Sequence, residues 1–596
     1  MTAHTGDPAS AVAHLSPGHW DRANRLLIRK ALAEFSHERL LSPRSLPGGR
    51  YTVHSDDKSV TYAFTARLLA LDHWQIDADS ISRGRGGEAL PLDALEFFLE
   101  LRDTLGLTEE ILPVYLEEIS STLAGTAFRL ARPELPAEEL ARSGFQDIEA
   151  GMAEGHPCFV ANNGRLGFGS DDYLAYAPEA ARPVRLVWLA VRRDCCTFSS
   201  SADLDHEQLI SGELDPGTLS GFAGRLTDLG LDPAEYYYFP AHPWQWWNRL
   251  SVTFAADIAR RDVVCLGYGK DRYLPQQSVR TFFNSDSPSR HYVKTALSVL
   301  NMGFVRGLST EYMKATPAIN DWLAGLLADD PVLREAGFTV IRERAAIGYH
   351  PRHYAEAAPA GSPYLKMFAA LWRESPVPLL EPGQRLATMA SLLHTDREGR
   401  SLAAALVRES GLEPTLWLRR YLDAYLTPLL HCFFAHDLVF MPHGENVILV
   451  LEDGVPSRAV MKDIAEEIAV LDDKRPLPSE VERVRAVVPD EIKPLSLFTD
   501  VFDCFFRFLG ATLDEAGVLA EDDFWATVAG CVRDYQRSAP HLADRFDRYD
   551  LFAETFPLSC LNRLQLRNNR QMVDLQDPTS AIRLAGSLEN PIARFA

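Results

Sequence analysis

Apolar residues recurring at helical spacing predict a long helix near the start of the chain. In residues 20–41, Ala23, Leu27, Ala31 and Phe35 form one apolar stripe, because residues four apart lie on the same face of a helix. Alternating apolar and polar positions predict a β-hairpin over residues 51–64, and residues 92–122 are predicted to be mainly helical. We therefore expect a helix-rich N-terminal domain, residues 1–150, without candidate catalytic residues.

Short apolar runs in the middle of the chain predict buried strands. These runs cover residues 184–191, 236–239, 263–266 and 278–283. Residues 292–306 are predicted to form a helix that ends at Gly307, a residue type that commonly follows a helix C-terminus. On this helix Lys294 would lie near one face and Arg306 in the last turn. Residues 355–363 are predicted to be a linker. The second domain, residues 151–360, is predicted to end within it.

The last part of the chain, residues 361–596, is predicted to be a mainly helical third domain. Trp417, Tyr421, Tyr425 and Leu429 recur every four residues, as the apolar face of a helix does. The strongly apolar residues 497–509 predict a second helix in the core of this domain. The mixture of strands and helices leaves α/β and α+β classes open.

Segment 441–463 carries the polar pattern that is most informative about chemistry. Apolar runs at residues 447–451 and 457–461 flank Asp453-Gly454, and Asp-Gly between two apolar runs predicts a tight β-hairpin. Such a hairpin brings Glu445 and Asn446 close to Asp463. Oxygen donors of this kind suit Mg²⁺ and a nucleoside triphosphate. The alternative is a surface hairpin with a solvated rim.

Composition and charge narrow the class of protein. The chain has 596 residues, 46% hydrophobic and 24% charged, with a formal net charge of −22. A nucleic-acid-binding protein is disfavoured, because such proteins need basic faces. No signal peptide and no run of roughly 18 apolar residues is found. The eight cysteines are scattered and lack metal-ligand spacing. We expect a cytoplasmic protein with free thiols and no membrane partner.

Three further segments could bind an anion. Ser278, Arg280 and Thr281 offer two hydroxyl groups and a guanidinium, which suit a phosphate, although such residues also decorate exposed strands. Lys294 and Arg306 could be paired cations or an exposed basic edge. The loop over residues 156–169 is rich in glycine and amides, but it has neither a P-loop nor a dinucleotide-binding fingerprint.

Taken in order along the chain, these motifs resemble those of the NRPS-independent siderophore synthetases, the family typified by aerobactin synthetases. The matching motifs are His156-Pro157 with Gly164-Arg165, Tyr176-Ala-Pro-Glu179, His242-Pro-Trp-Gln245, Ser278-Val-Arg-Thr281, Lys294 with Asn301 and Arg306-Gly-Leu-Ser309, and His443-Gly-Glu-Asn446 followed by Lys462-Asp463. The N-terminal segment over residues 14–35 is most similar to actinomycete desferrioxamine synthetases. Glu445 stands where many relatives have Gln.

The resemblance implies an α+β, hand-like fold of thumb, fingers and palm, with antiparallel sheets flanked by helices. It implies that ATP and Mg²⁺ bind between fingers and palm, and that a carboxylate is adenylated and then attacked by an amine. Lys294, Arg306 and His443 are the expected catalytic residues. The expected ATP ligands are Asn162, Asn163, Arg165, Ser278, Arg280, Thr281, Lys294, His443, Glu445, Asn446 and Asp463. Glu445, Asn446 and Asp463 would bind Mg²⁺, whereas His156, Arg306, Arg563 and Arg567 would contact substrate.

The closest resemblance further implies a substrate with a carboxylate at one end and an amine at the other, N-hydroxy-N-succinylcadaverine. Joining and closing such units would give desferrioxamine-type trihydroxamates, and relatives suggest a homodimer. A citrate-using synthetase of the same family remains an alternative. A small-molecule phosphotransferase and a non-catalytic hydroxamate-binding protein are the alternatives from other classes.

Overall fold

A computed structural model describes residues 7–152, 155–359, 361–567 and 583–596. Within these ranges, no helix is long and apolar enough to cross a membrane. The fold has three regions, each organised around at least one antiparallel sheet. It is a multi-domain fold of mixed helices and antiparallel sheets, as expected.

The N-terminal region combines helices with a six-stranded sheet. Its helices are α1 (Pro17–His37), α2 (Ala94–Glu100), α3 (Leu112–Leu130), α4 (Ala137–Leu140) and α5 (Phe145–Gly151), and its strands are β1 (Arg44–Leu46), β2 (Arg50–His54), β3 (Val60–Leu69), β4 (His73–Ile76), β5 (Ser82–Arg85) and β6 (Glu88–Leu90). The predicted first helix and the predicted hairpin are both present, but the sheet is larger than the sequence pattern indicated. Its short strands end at turns that contain glycines with positive φ, among them Gly86 and Gly87.

The middle region contains a three-stranded sheet and most of a central six-stranded sheet. Its helices are α6 (Ser170–Tyr176), α7 (His206–Glu213), α8 (Pro216–Asp228), α9 (Pro243–Gln245), α10 (Ser251–Thr253), α11 (Ala255–Ala259), α12 (Thr310–Asp329), α13 (Pro331–Glu335) and α14 (Arg352–Ala357). Its strands are β7 (Val187–Arg192), β8 (Cys196–Ser200), β9 (Tyr236–Ala241), β10 (Val263–Tyr268), β11 (Tyr273–Pro275), β12 (Thr281–Asn284), β13 (Tyr292–Thr295), β14 (Leu300–Asn301), β15 (Phe304–Val305), β16 (Thr339–Val340) and β17 (Glu343–Tyr349).

The prediction of a helix over residues 292–306 is wrong. Residues 292–295 form β13, which lies between β12 and a strand of the C-terminal region, Ala369–Arg373, with Lys294 opposite both Thr281 and Leu371. Residues 300–305 form the hairpin β14–β15, whose turn has φ values of 52° at Met302 and 75° at Gly303. Pairing on both sides of β13 outweighs helix propensity here, and a two-residue turn of positive φ sets the hairpin.

The C-terminal region holds the largest apolar core of the molecule. Its helices are α15 (Leu402–Ser410), α16 (Pro414–His436), α17 (Ile464–Glu467), α18 (Leu495–Leu497), α19 (Arg507–Glu515), α20 (Glu521–Ser538), α21 (Ala543–Arg548) and α22 (Leu561–Arg567). Its strands are β18 (Ala369–Arg373), β19 (Gln384–Thr388), β20 (Leu438–Phe440), β21 (Val447–Glu452), β22 (Val455–Met461), β23 (Ile468–Val470), β24 (Thr555–Ser559) and β25 (Leu584–Glu589). The predicted helix containing Trp417 is α16, and the apolar segment near residue 500 is a buried π-helix, Phe498–Phe506, that continues into α19.

Candidate active site

The β-hairpin predicted in segment 441–463 forms as the sequence predicts. β21 and β22 pair from Val447 opposite Met461 to Glu452 opposite Val455. The turn between them has φ values of 49° at Asp453 and 79° at Gly454, which is the two-residue turn that Asp-Gly favours. The backbone N–H of Lys462 donates to the carbonyl of Asn446 at 3.0 Å. The polar residues at both open ends of the hairpin are therefore neighbours.

A cavity of about 470 Å³ lies where the three regions meet. Its cationic lining residues are Arg280, Lys294, Arg306, Lys366, Arg373 and Lys462, and its acidic ones are Glu149, Glu445, Asp463, Glu466, Glu467 and Asp500. Most of the acids come from the hairpin ends and α17, whereas most of the cations come from the central sheet and the β14–β15 hairpin. The cavity thus sets a cationic wall against an acidic one, as a site for an anion and a divalent cation requires.

Asp463 links the two walls. Its carboxylate accepts a hydrogen bond from the Nζ of Lys294 at 2.6 Å and another from Arg373. Burial opposes ionisation of Asp463, but Arg373 and Lys294 outweigh burial and hold its pKa well below the usual range. Asp463 also has a positive φ of 59°, and non-glycine residues in that region are uncommon and collect at functional sites. Asp463 is therefore ionised and held in place by two strands of the central sheet.

The turn before β12 shapes the other wall. The hydroxyl of Ser278 donates to that of Thr281 at 2.8 Å, and Val279 between them is fully buried with a φ of 57°. A left-handed backbone is costly for a β-branched residue. Arg280 donates to the carbonyl of Gly307 at 2.5 Å. The strained turn thus brings two hydroxyl groups and a guanidinium to one side of the cavity.

Three guanidinium groups in the cavity, those of Arg280, Arg306 and Arg373, have a buried Nε that is an unused donor among the described residues. Arg306 donates from one Nη to the amide oxygen of Asn301 at 2.6 Å. Among the described residues, neither the Nε of Arg306 nor that of Arg280 has a hydrogen-bond partner, although both are buried. Burial and the charge of Arg280 lower the pKa of Arg306 to about 10, which leaves it cationic at neutral pH. Buried donors without a partner are rare in folded proteins and call for a ligand.

The two histidines of the site are neutral. His156 and His443 face each other with ring centroids 5.3 Å apart. Burial, assisted by the charge of Lys462, lowers the pKa of His443 to about 4, and burial lowers that of His156 well below its usual range. They can exchange hydrogen bonds with a ligand, but they do not add positive charge at neutral pH.

Buried acids surround the end of the hairpin. Burial, and then the charge of Glu149, raises the pKa of Glu445 to about 7. Burial and Asp463 raise that of Glu467 well above its usual range. Asn446 donates to the carbonyl of Met441 at 3.0 Å and to Glu467. Crowded carboxylates that resist ionisation, beside an amide oxygen, match the oxygen donors that Mg²⁺ takes.

Most residues predicted for the site meet at this cavity. The predicted residues in its lining are His156, Asn162, Asn163, Ser278, Arg280, Thr281, Lys294, Arg306, His443, Glu445, Asn446 and Asp463. Lys294 and Arg306 reach it from a strand and a hairpin rather than from one helix. Sequence reasoning missed Arg373, Glu149, Glu466 and Glu467. The last two lie three and four residues after Asp463, so their position carried a signal, but Arg373 and Glu149 lie in other elements and carried none.

Three predicted arginines lie outside the cavity lining. Arg165 is buried in an ion pair with Glu179 at 2.9 Å and packs over the ring of Tyr173. Arg563 donates to the backbone carbonyls of Glu38 and Arg39 at 2.9 and 3.0 Å, and Arg567 is exposed at the end of α22. Both Nη groups of Arg165 bind Glu179 or Asn163, and the Nε and one Nη of Arg563 bind backbone carbonyls, so these two arginines make structural contacts outside the cavity lining.

An apolar strip extends the cavity beyond Arg306. Phe159 and Leu564 are buried there, and Met302, Phe304 and Leu561 pack against them. All five line the cavity. Helix α22 therefore contributes leucines, not arginines, to the site. A strip of this kind suits a methylene chain.

Comparison with known proteins defines the family. Residues 144–394 match the model of the IucA / IucC family, and residues 415–574 match that of the ferric iron reductase FhuF-like transporter. The chain is 50% identical over 585 residues to putrebactin synthase of Shewanella sp. (strain MR-4), with 98% of this chain and 93% of that protein covered. The chain belongs to the IucA/IucC family of NRPS-independent siderophore synthetases.

Solved structures agree with this assignment. The aerobactin synthetase IucC from a hypervirulent pathotype of Klebsiella pneumoniae superposes with a TM-score of 0.85 at 28% identity, covering 97% of this chain and 99% of that one. The ATP-bound aerobactin synthetase IucA from the same source has a TM-score of 0.71 at 17% identity, covering 96% and 99%. The second likeness supports the fold. The family predicted from the sequence motifs is thus confirmed.

Proposed function

We propose that the protein is an ATP-dependent siderophore synthetase that adenylates a carboxylate and joins it to an amine. The observation that carries the proposal is the cavity itself, in which buried, unpartnered donors of Arg280 and Arg306 lie beside Lys294 and face a wall of carboxylates. Attack of a carboxylate on a phosphate brings two anions together, so fixed cations must offset their repulsion. Family membership and the ATP-bound relative support ATP as the nucleotide.

Each wall has its own role in this proposal. Ser278, Arg280, Thr281 and Lys294 bind the phosphates, with Asn162 and Asn163 from the neighbouring loop. Arg306 binds the substrate carboxylate and the charge that develops during adenylation. His443 and His156, which are neutral, orient the ligand through hydrogen bonds. The amine then attacks a good leaving group, so proximity is sufficient and no nucleophilic side chain is required.

Glu445, Asn446 and Asp463 would hold Mg²⁺, with Glu466 and Glu467 beside them. The donor set fits this ion, because all the groups are hard oxygen ligands, and because burial and neighbouring acids raise the pKa values of Glu445 and Glu467, whose ionisation a bound cation would favour. Bound Mg²⁺ would neutralise phosphate charge. The oxygen of Asp463 that pairs with Lys294 and Arg373 would have to share its charge with the ion.

The substrate that we propose is N-hydroxy-N-succinylcadaverine, joined repeatedly and closed to a desferrioxamine-type trihydroxamate. The apolar strip of Phe159, Met302, Phe304, Leu561 and Leu564 supports it, since a pentamethylene chain is apolar along its length. A citrate-using synthetase is the second candidate, and Lys366 favours it. That cation lines the cavity next to Gly307 and could bind another carboxylate. We propose that the enzyme acts in the cytoplasm, as a homodimer.

One assay decides between these functions. The enzyme is incubated with ATP, Mg²⁺ and either N-hydroxy-N-succinylcadaverine or citrate with an amine, and AMP, ADP and pyrophosphate are measured. We expect AMP and pyrophosphate with the succinylated substrate and little release with citrate. Release of ADP with a phosphorylated product would establish a phosphotransferase instead, and no substrate-dependent turnover would establish a binding protein.

A further inference from the structure

Three metal-ligand side chains converge at a place that the proposed reaction does not use. Asp330 lies between α12 and α13, and His431 and His436 lie in the last turns of α16. The Oδ2 of Asp330 is 3.0 Å from the Nε2 of His431 and 2.9 Å from the Nε2 of His436. These ligand atoms all lie within 4.8 Å of one another. In the part of the chain that the structure describes, none of the three residues lines the main cavity.

We propose that Asp330, His431 and His436 bind a divalent transition-metal ion of the zinc class. Two imidazole nitrogens and one carboxylate oxygen are a ligand set typical of Zn²⁺ and its neighbours, rather than of Mg²⁺ or Ca²⁺, which prefer oxygen throughout. The side chains are 12%, 7% and 19% exposed for Asp330, His431 and His436. The site is therefore mostly sheltered, but open on the His436 side.

Neighbouring groups already fix the orientation of two of the three ligands, His431 and Asp330. The Nδ1 of His431 lies 3.1 Å from the hydroxyl of Tyr535 on α20. The Oδ1 of Asp330 caps α13 by accepting from the backbone N–H groups of Val332 and Leu333 at 2.9 and 3.0 Å. A metal-bound histidine usually bonds through its second nitrogen, and a ligating carboxylate usually accepts other hydrogen bonds. Oδ2 is left to face the two histidines.

The open side offers room for a further ligand. A surface cavity there is lined by Asp329, Asp330, His436 and Arg475, with Trp322 and Leu326 among its apolar members. A water molecule in it would complete a four-coordinate ion, as in zinc sites with three protein ligands. Asp329 is exposed on the same cavity and adds negative potential without touching the histidines.

Arg475 is the group that opposes the ion. Its Nη1 lies 3.5 Å from the Nδ1 of His436 and donates to the backbone carbonyl of the same residue at 2.9 Å. For Nε2 to bind a metal, the imidazole proton must sit on Nδ1, and Arg475 has no acceptor for it. Arg475 must therefore turn away when the ion binds. Removal of the Arg475 side chain is therefore expected to strengthen metal binding.

The ion would join two regions of the molecule. Helix α12, which ends at the site, packs against β8 and β17 of the central sheet and also contributes Ile319, Leu323 and Leu327 to the C-terminal apolar core that contains α16. Helix α12 also packs against α17, which carries Glu466 and Glu467 into the active cavity. A metal bridge between α12 and α16 would thus hold α12 in place, and through α12 it would help to fix the position of α17, which carries Glu466 and Glu467.

Cobalt binding to the full-length, tag-free protein tests the proposal. Co²⁺ is added without ATP, and the visible ligand-field absorption and bound metal per chain are measured. We expect one equivalent per chain with nitrogen-ligand bands, and a Tm higher by about 2 °C at a hundredfold excess over Kd. Asp330→Asn and His436→Gln should weaken binding about 100-fold or more. Asn keeps the helix cap, so loss of folding does not explain the first result.

Three further variants make the outcome unambiguous. Asp329→Asn is the matched control and should change the affinity by no more than about threefold, because its exposed charge is screened. Arg475→Gln should tighten binding about tenfold, since it removes a neighbouring cation. Asp463→Asn should leave the bands intact, which separates this site from the ATP cavity. Absence of the bands in the wild type, or their persistence in Asp330→Asn, would show that the three residues form only a hydrogen-bond cluster.

Discussion

At the scale of single residues, Asp463 connects the acidic and the cationic side of the cavity. It was expected to be a metal ligand, and the structure shows it also as the partner of Lys294 and Arg373. Under the proposed function, removing its charge therefore has two consequences, one for activation of the nucleotide and one for the two cations that it neutralises. A buried cation left without its partner costs several kcal/mol.

The first prediction separates these consequences. Asp463→Asn should lower pyrophosphate release at least about 100-fold and lower the Tm, because the amide oxygen can still accept from Lys294 but no longer neutralises it. Asp463→Ala should lose the same activity and lower the Tm further, because the hydrogen bond is lost as well as the charge. Pyrophosphate release and thermal unfolding are the measurements, and turnover like that of the wild type in Asp463→Asn would refute the assigned role.

Asp500 gives a second prediction, on pH. Burial raises the pKa of this carboxyl to about 7 from its ordinary value of 3.8. The folded state therefore holds the proton through a window in which the unfolded state has lost it, and stability falls as pH rises from about 4 to 7. Above pH 7 both states are ionised, and the penalty is constant.

Asp500→Asn removes this titration. The Tm of the variant minus that of the wild type should increase by about 1–2 °C between pH 5.5 and 7.5, corresponding to roughly 2 kcal/mol before solvent screening in the cavity reduces it. Thermal unfolding across this range is the measurement. A difference that is constant with pH would show that Asp500 titrates normally.

At the scale of elements, the β14–β15 hairpin sets the position of Arg306. Its turn residues, Met302 and Gly303, have positive φ, and the N–H of Gly303 donates to the buried Glu118 at 3.2 Å. Asn301 on β14 donates to the carbonyl of Gly164 and accepts from Arg306. The position of Arg306 therefore depends on the geometry of this hairpin.

Gly303→Ala should disturb this geometry. A side chain at positive φ costs about 1 kcal/mol, and we expect kcat/KM to fall about tenfold as Arg306 shifts. Gly87→Ala is the matched control, because Gly87 has a φ of 91° in the β5–β6 turn and open space around the added carbon. Steady-state kinetics of both variants should show loss in the first only; equal activities would mean that the hairpin does not position Arg306.

At the scale of the whole molecule, buried ion pairs connect the N-terminal and C-terminal regions. Arg507 on α19 donates to Glu34 of α1 at 2.9 Å and lies 2.8 Å from Asp503. His37 of α1 contacts the same Asp503 at 3.1 Å. The cavity lies at the junction of the regions, so these pairs hold together the parts that form it. An exposed pair, Arg67 with Asp514, joins the same two regions at the surface.

The contrast between the two pairs is the fourth prediction. Arg507→Gln leaves two buried carboxylates without their cation and should lower the Tm by about 2–4 °C, because breaking a buried pair costs about 3–5 kcal/mol. Arg67→Gln should change the Tm by less than about 1 °C, since exposed pairs contribute little. Calorimetry of both variants is the measurement, and equal shifts would contradict the assignment of the buried pairs.

The sequence by itself determined what depends on local contacts. Four-residue spacing fixed the faces of α1 and α16, Asp453-Gly454 fixed the turn of the hairpin, and motif order identified the family. Those signals are local, since each depends on residues a few positions apart. They also sufficed to bring most of the expected ligands to one cavity.

Only the tertiary structure decided the rest. Residues 292–306 became strands because β12 and β18 pair with β13 from opposite sides, and those partners lie far apart in the chain. Arg165 pairs with Glu179 and lies outside the cavity lining, whereas Arg373, on β18, lies within it. Long-range pairing and ion-pair choice depend on which elements meet in space, and no local pattern of apolar and polar residues carries that information.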